Sequence, residues 1–275
     1  MPAAILSTLR DAFGDAPVAG AVVLGSGLGG LLEEWRPARI LETAGIPGYP
    51  ASGVAGHAGR LAMVEWGRAR GLVFQGRVHF YEGYRRPDVT MNVRVAASLG
   101  ARWILLSNAS GSVDPLVPPG TIVVVEDHIR LLVGRAAAHG AMSGGPSKGS
   151  PYDTRRTEEA FAMLGREGLR AQRGILFGGL GPSYETAAEV EMIRRLGATV
   201  ACMSTVIEAE EARLAGLDVA AFSMVTNLAT GLAAGRLTHD EVVAAAKRIG
   251  PALARAIDRL VRSWAEEPVP DQAPG

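Results

Sequence analysis

The amino-acid sequence predicts an α/β protein in which a mixed, largely parallel central sheet is flanked by helices. Three features support this expectation: short continuous apolar runs, helical patterns between those runs, and glycines that follow the helical patterns. Strands covered on both faces show continuous apolar runs instead of alternation. A length of 275 residues fits one large hydrophobic core, so we expect residues 1–275 to form a single domain.

Seven short runs rich in valine, isoleucine and alanine predict the strands of this sheet. They are Ala21–Leu24, Arg70–Gln75, Trp103–Asn108, Thr121–Glu126, Arg173–Phe177, Val200–Met203 and Val219–Val225. Because the runs are continuous, we expect these strands to be buried on both faces. Four helical patterns accompany them, and three end at or just before a glycine: Val89–Leu99, Thr186–Leu196 and Val206–Leu214.

The fourth helical pattern lies near the end of the chain and is the clearest. Thr238 can cap it, Glu241 stands three residues later as a capping-box partner, and an alanine-rich apolar stripe continues to about Trp264. Residues 134–150 read GRAAAHGAMSGGPSKGS and predict a mobile surface loop, because glycine and serine offer little to pack. The Pro-containing residues 266–275 predict a frayed tail.

The composition argues against several classes of function. Lys and Arg together number 28, as do Asp and Glu, and neither sign runs in blocks, so no basic face is evident for nucleic acid. No stretch approaches the roughly 20 apolar residues of a membrane span. The single cysteine, Cys202, cannot form an intramolecular disulfide and suits a small buried position. We therefore expect a cytoplasmic protein with a small-molecule ligand and without nucleic-acid or membrane partners.

A glycine-rich turn, Gly25-Ser26-Gly27-Leu28-Gly29, directly follows the first predicted strand. Such a turn can direct backbone N–H groups and a serine hydroxyl at an anion. Two other interpretations stay open for this turn alone, a dinucleotide-binding loop and a purely structural tight turn. The spacing differs from G-x-G-x-x-G, and Leu41-Glu42 follows no clear second strand, so the dinucleotide interpretation is disfavoured.

A second polar segment, QGRVHFYEGY at residues 75–84, follows the strand Arg70–Gln75. Arg77, His79 and Tyr81 alternate there and would point to one face. Arginine offers a planar fork to phosphate, histidine a titratable donor, and tyrosine an apolar ring with a hydroxyl. This set suits an oxyanion beside a sugar, although an exposed strand end would also alternate.

Three further strands end in small or polar residues, where open α/β sheets bind ligands. The segments are Asn108-Ala109-Ser110-Gly111, Met203-Ser204-Thr205 and Ser223-Met224-Val225-Thr226-Asn227. A fourth segment, Gly181-Pro182-Ser183-Tyr184-Glu185-Thr186, places an aromatic ring and a carboxylate before a helix. Taken singly, Glu185 could be an ordinary first-turn acid, Met203 a core residue and Asn227 a cap.

Taken together, these segments resemble the trimeric, low-molecular-mass purine nucleoside phosphorylases. The shared motifs run in order from Val22 to Asn227: GSGLG, HAGR at residues 57–60, QGRVHFYEGY, NASG, GPSYET, ACMST and VTN. The resemblance implies a phosphate site formed by Ser26, His57, Arg77, His79, Ala109 and Ser204. It implies ribose contacts from Tyr81, Met203 and His239, and base contacts from Tyr184, Glu185 and Asn227. The catalytic roles would fall to His79, Glu185 and Asn227.

The resemblance also implies a reaction: phosphorolysis of 6-oxopurine nucleosides such as inosine and guanosine to the free base and ribose 1-phosphate. Asn227 would donate to N7 of the departing purine, and Glu185 would accept from N1–H. Adenine has no hydrogen on N1, and a site built to bind a missing group can reject the analogue by roughly 10⁴-fold. Phosphate would be a co-substrate, with no metal and no cofactor, and the assembly would be a homotrimer.

One departure from the family pattern lies in the predicted loop. Before Tyr152 it contains no aromatic residue that could cover the ribose of a neighbouring subunit, which puts that contact in doubt. Two alternatives remain beside the expected activity: a methylthioadenosine phosphorylase, which reads a 6-aminopurine, and a nucleoside-binding protein without turnover. A dinucleotide-dependent oxidoreductase rests on the first turn alone. His128 and His139 are expected to have structural or surface roles.

Overall fold

The computed structural model describes residues 1–54, 56–131, 149–232 and 239–268, with the backbone alone over 239–248. The strands of the central sheet are Gly20–Leu24 (β1), Arg39–Glu42 (β2), Arg60–Trp66 (β3), Ala69–Gln75 (β4), Trp103–Ser112 (β5), Ile122–Arg130 (β6), Ala171–Gly178 (β7), Val200–Cys202 (β8) and Asp218–Leu228 (β9).

The described helices pack around this sheet. They are Ala3–Phe13 (α1), Leu31–Glu34 (α2), Arg86–Val89 (α3), Met91–Ser98 (α4), Thr154–Arg166 (α5), Ala187–Arg195 (α6), Val206–Leu214 (α7) and His239–Ala265 (α8), with 3₁₀ turns at Thr43–Gly45 and Phe80–Glu82. None of the helices in the described ranges combines the length and hydrophobicity that a bilayer crossing requires.

The sheet has the strand order β2-β3-β4-β1-β5-β8-β7-β6-β9, and β9 also pairs with β5. That additional pairing closes β5, β8, β7, β6 and β9 into a ring of strands. β1 is parallel to both β4 and β5, whereas β2 and β3 are antiparallel additions at the other edge. The α/β fold with a mixed, largely parallel sheet is therefore confirmed, and all seven predicted strands are present within one or a few residues of their expected ends.

Several elements differ from the sequence-based expectation. The strands β2 and β3 and the helices α1 and α5 were not predicted, and the helix expected over Val89–Leu99 breaks at Thr90, where ψ is 10°. The statement that no second strand precedes Leu41-Glu42 was wrong, because both residues lie in β2. This strand carries mostly exposed side chains, so it lacks the apolar run that marks a buried strand. Its antiparallel pairing differs from that of a dinucleotide-binding fold.

The core on one side of the sheet contains a chain of four tryptophans. Ring centroids are 5.5 Å apart for Trp35 and Trp66, 5.4 Å for Trp66 and Trp103, and 5.2 Å for Trp103 and Trp264. The rings need room against the sheet, and Gly71 in β4 provides it. A Cβ atom there would lie 2.0 Å from the ring of Trp66.

The start of the predicted frayed tail is anchored. The Glu267 carboxylate accepts hydrogen bonds from Arg155 and Arg156 at 2.7 Å, and Arg102 donates to the carbonyl oxygens of Glu267 and Pro268. Residues 269–275 lie outside the described residues, as do residues 134–148 of the predicted mobile loop. The frayed tail over 266–275 and the mobile loop over 134–150 therefore stay predictions.

We predict that Gly71→Ala lowers the free energy of unfolding by about 1–3 kcal/mol, because the added methyl group overpacks the Trp66 ring. Urea denaturation followed by tryptophan fluorescence measures this effect. Gly45→Ala is the matched control, since a Cβ atom at Gly45 meets nothing within 4 Å. Equal stability of the two variants would contradict the packing argument.

Candidate active site

A cavity of about 700 Å³ opens at the carboxyl ends of β1, β4, β5, β8 and β9. It brings together segments that are far apart in sequence, and every predicted site residue with a described side chain lines it: Ser26, His57, Arg77, His79, Tyr81, Ala109, Tyr184, Glu185, Met203, Ser204 and Asn227. His239 begins α8, and its side chain lies outside the described residues. The roles assigned to these residues stay predictions, although their grouping agrees with one site.

The glycine-rich turn lies directly against β5. The N–H of Gly25 donates to Oγ of Ser107 at 3.0 Å, and that hydroxyl donates to the carbonyl oxygen of Val23 at 2.9 Å. A Cβ atom on Gly25 would lie 2.4 Å from the Ser107 carbonyl oxygen, so only glycine fits this approach. The turn then places Oγ of Ser26 3.4 Å from Nε2 of His57.

His57 is fixed by the backbone of Arg77. Its Nδ1 lies 2.6 Å from the carbonyl oxygen and 3.0 Å from the backbone nitrogen of that residue. Burial lowers the pKa of His57 below its usual value, while its contact with the Arg77 carbonyl opposes the shift. A neutral imidazole at this position leaves Nε2 for the Ser26 hydroxyl.

The guanidinium of Arg77 is almost fully buried beside the cavity. Its Nε lies 3.0 Å from the Glu208 carboxylate, and its Nη1 donates to the carbonyl oxygen of Ser107 at 2.8 Å. Oγ of Ser204 is 3.5 Å from the same Nη1. Nη2 has no hydrogen-bond partner among the described residues. An unpartnered buried donor is costly, so this group is available to an anion.

His79 is held by the carboxylate of Glu82, three residues further along the chain. Its Nδ1 lies 3.0 Å from Glu82, which also accepts from the N–H of Gly53 at 2.8 Å. The ring stacks on Tyr81 with centroids 4.7 Å apart and an interplanar angle of 14°. Burial lowers the pKa of His79 to about 4, although the hydrogen bond to Glu82 acts in the opposite direction. Its ring is therefore neutral at pH 7.

The predicted base-binding residues Tyr184, Glu185 and Asn227 also line the cavity. Burial raises the pKa of Glu185, and no cation among the described residues pairs with it. Oδ1 of Asn227 accepts from the Thr226 hydroxyl at 2.8 Å, and Nδ2 donates to the Leu228 carbonyl oxygen at 3.0 Å. This orientation leaves one Nδ2 hydrogen of Asn227 for a ligand. Tyr184, which also lines the cavity, is 63% exposed.

Sequence reasoning missed three residues that support the site: Glu82, Asn108 as a side chain, and Glu208. Nδ2 of Asn108 donates to Oγ1 of Thr205 at 3.0 Å, and Glu208 joins Arg77 to the start of α7. Glu208 stands three residues after Thr205, which is the spacing of an ordinary capping box, so the sequence signal indicated a helix start. Cys202, predicted as a small buried residue, is buried, and burial raises its pKa to about 11.

Within the described part of the chain, no three histidine, cysteine, aspartate or glutamate side chains are grouped as a metal ion would require. The cavity is lined by donors suited to an oxyanion, Arg77 and the hydroxyls of Ser26 and Ser204, and we call this group the anion side. It is also lined by the Glu185 carboxylate and the Asn227 amide, the two groups that can recognise a purine edge by hydrogen bonds, and we call this pair the base side. The cavity thus has the groups that an anion and a planar heterocycle would need.

Comparison with known proteins agrees with a cavity that has groups for an anion and for a purine. Residues 21–262 match the family model described as the Phosphorylase superfamily, so the chain belongs to that superfamily. It is 36% identical to purine nucleoside phosphorylase 1 of Geobacillus stearothermophilus over 94% of this chain and 95% of the relative. It is 35% identical to the purine nucleoside phosphorylase of Bos taurus over 88% of each chain.

A solved structure shares the whole fold. The schistosoma purine nucleoside phosphorylase in complex with hypoxanthine superimposes with a TM-score of 0.83 at 27% identity, covering 96% of both chains. The chain therefore belongs to the purine nucleoside phosphorylase family and is an enzyme of that family. The resemblance stated from the sequence motifs is confirmed.

The lowered pKa of His79 predicts a loss of stability in acid. Between its ordinary value of 6.5 and about 4, the unfolded chain binds a proton at this residue and the folded chain does not. The contribution of neutral His79 to the free energy of unfolding is fully present above pH 6.5 and is lost as the pH falls toward 4. The loss between pH 8 and pH 5 is about 2 kcal/mol.

Urea denaturation at pH 8 and pH 5, on the wild type and on His79→Asn, measures this contribution. The variant should lose less stability between the two values than the wild type does. Each protein at pH 8 serves as its own reference, so any packing defect of the variant cancels. An equal loss in both proteins would show that His79 is not held neutral in the fold.

Proposed function

We propose that this protein catalyses phosphorolysis of 6-oxopurine nucleosides, such as inosine and guanosine, to the free base and ribose 1-phosphate. One observation carries the proposal: a single cavity is lined both by oxyanion donors and by the Glu185 and Asn227 pair. A bound nucleoside would have its sugar between these two groups of residues, so that phosphate and purine meet the anomeric carbon from opposite directions.

The anion side binds phosphate mainly through hydrogen-bond donors. The charge of Arg77 is balanced by Glu208, and the lowered pKa values of His57 and His79 leave both rings neutral at pH 7. Donors for the oxyanion are then the Arg77 N–H groups, the hydroxyls of Ser26 and Ser204, and the backbone N–H of Ala109. Preorganised donors of this kind stabilise charge more strongly inside a protein than in water.

The base side suits a purine that leaves with negative charge. As the C1′–N9 bond breaks, its electron pair passes to the purine ring, and the free Nδ2 hydrogen of Asn227 can be donated to N7. The Glu185 carboxylate accepts from N1–H of a 6-oxopurine. The sugar gains oxocarbenium character, as in other glycosidic cleavages, and phosphate attacks C1′ directly. No covalent bond to the enzyme is needed.

Tyr81 and Met203 also line the cavity and would contact the ribose, with His239 at the 5′-hydroxyl. Tyr81 supports this arrangement through its stacking on His79, which places the sugar-facing ring next to the anion donors. Homotrimer assembly and the absence of any metal or cofactor requirement stay predictions from the family resemblance, and the cytoplasmic location stays a prediction from the composition. Phosphate is the proposed co-substrate.

The main alternative is a phosphorylase that reads 6-aminopurines, such as a methylthioadenosine phosphorylase. A Schistosoma mansoni purine nucleoside phosphorylase of the same fold is known in complex with adenosine as well as inosine, so the family fold admits both bases. In this chain the half-buried Glu185 acceptor favours a base that carries N1–H. A nucleoside-binding protein without turnover is the other alternative.

Incubation with inosine, guanosine, adenosine or methylthioadenosine, with and without phosphate, tests the proposal through the release of free base. We expect release from inosine and guanosine that requires phosphate, and at least about a hundredfold lower kcat/KM for adenosine. Equal use of adenosine would contradict the role of Glu185. Binding of inosine without release of hypoxanthine would indicate a binding protein.

Arg77→Ala should raise the KM for phosphate about ten- to a hundredfold, because it removes charge-assisted hydrogen bonds. The KM for inosine should change much less, since Arg77 lies on the anion side of the cavity. Initial rates over a matrix of phosphate and inosine concentrations separate the two constants. An unchanged phosphate KM would move the anion subsite away from this residue.

A further inference from the structure

Glu208 lies outside the predicted site, yet it contacts two parts of it at once. Its carboxylate is 3.0 Å from Nε of Arg77 and accepts the backbone N–H of Thr205 at 3.0 Å. Thr205 directly follows Ser204, another predicted phosphate residue. We propose that Glu208 is a positioning residue that fixes Arg77 and the Ser204-Thr205 turn around the bound oxyanion. The inference rests on the proposed phosphate site.

The contacts of Arg77 show how the positioning works. Glu208 occupies Nε and the Ser107 carbonyl oxygen occupies Nη1, so the planar guanidinium is held at two of its nitrogens. Two such contacts define the plane of the group and the direction of the remaining N–H bonds. Nη2, which has no partner among the described residues, is therefore kept in one orientation. Without Glu208 only the contacts at Nη1, with the Ser107 carbonyl oxygen and the more distant Ser204 hydroxyl, would oppose rotation.

The second contact restrains a strained backbone. Thr205 has φ of 72° and ψ of −49°, which a β-branched residue adopts only when its surroundings enforce it. Glu208 accepts the Thr205 N–H, and the Asn108 side chain donates to the Thr205 hydroxyl at 3.0 Å. Relaxation of this residue would shift Ser204, whose Oγ lies 3.5 Å from Arg77. One carboxylate thus controls the spacing of two anion donors.

Both partners of the ion pair between Arg77 and Glu208 are buried. The side chains of Arg77 and Glu208 are 2% and 1% exposed, so water cannot replace either partner.

Glu211 provides a comparison on the same helix α7. It also accepts from an arginine Nε, that of Arg86 at 3.4 Å, but Arg86 does not line the cavity. A general requirement for an ion pair on α7 would affect both glutamates, whereas positioning of the anion donors involves Glu208 alone.

The test compares Glu208→Ala, Glu208→Gln and the control Glu211→Ala in steady-state kinetics with inosine and phosphate. Glu208→Ala should raise the phosphate KM at least about tenfold and change the inosine KM less than about threefold. Glu208→Gln should recover part of the loss, because its amide oxygen still accepts one of the two N–H groups. Glu211→Ala should leave both constants within about twofold of the wild type.

A double variant separates positioning from a purely structural role. Because Glu208 acts in part through Arg77, adding Glu208→Ala to Arg77→Ala should raise the phosphate KM by a smaller factor than Glu208→Ala does in the wild type, and the remaining effect should pass through Thr205 and Ser204. Independent, multiplying effects of the two substitutions would overturn the proposal. Thermal unfolding of each variant identifies those that fold, and Glu208→Gln, which keeps the side-chain shape, carries the test if Glu208→Ala does not.

Titration calorimetry with inorganic phosphate alone gives a readout that does not depend on turnover. We expect weaker phosphate binding by folded Glu208→Gln than by the wild type. Unchanged phosphate affinity in both folded Glu208 variants would overturn the role of Glu208 while leaving the proposed function intact. Wild-type protein that binds phosphate but releases no hypoxanthine from inosine would instead overturn the proposed function, and calorimetry would still decide the role of Glu208.

Discussion

The buried ion pair between Arg77 and Glu208 connects the two regions on which the anion side of the cavity depends. Arg77 follows β4, and Glu208 lies in the first turn of α7, 131 residues later. Breaking a buried pair leaves one charge without a partner, which is strongly unfavourable, so the strand end and the helix start are held together. Ser107, Ser204 and Thr205 then take their positions around this pair through hydrogen bonds.

The same pair sets the electrostatics of the cavity. A lone buried arginine would give the anion side a full positive charge, but Glu208 balances it. Burial also keeps His57 and His79 neutral at pH 7 by lowering their pKa values. The site therefore offers oriented donors with little net charge. Such an environment suits the proposed co-substrate, phosphate, which would have to bind, react and leave as a sugar phosphate.

The fold places these groups by ending its strands at one edge. β5 pairs with β1 on one side and with β9 on the other, so the segments after these strands emerge next to each other. The close approach of Gly25 to Ser107 shows how tightly the turn after β1 fits on β5. On the opposite edge, β2 and β3 extend the sheet without contributing a residue to the cavity. The ligand site is thus a property of the strand ends, and the tryptophan-rich core supports the sheet beneath it.

The sequence by itself determined the seven main strands, the fold class, the family and eleven of the residues that line the cavity. It could do so because buried strands leave continuous apolar runs and because the motifs are local.

Only the tertiary structure decided the contacts between distant segments. Glu208 reads as a capping-box acid until Arg77 is seen beside it, and Glu82 reads as a polar loop residue until it is seen to orient His79. The edge strand β2 has too few buried side chains to leave a pattern, and Glu267 anchors the start of the tail through arginines 111 and 112 residues away. Local patterns record burial, whereas the partner of a buried charge is set by how the chain folds back on itself.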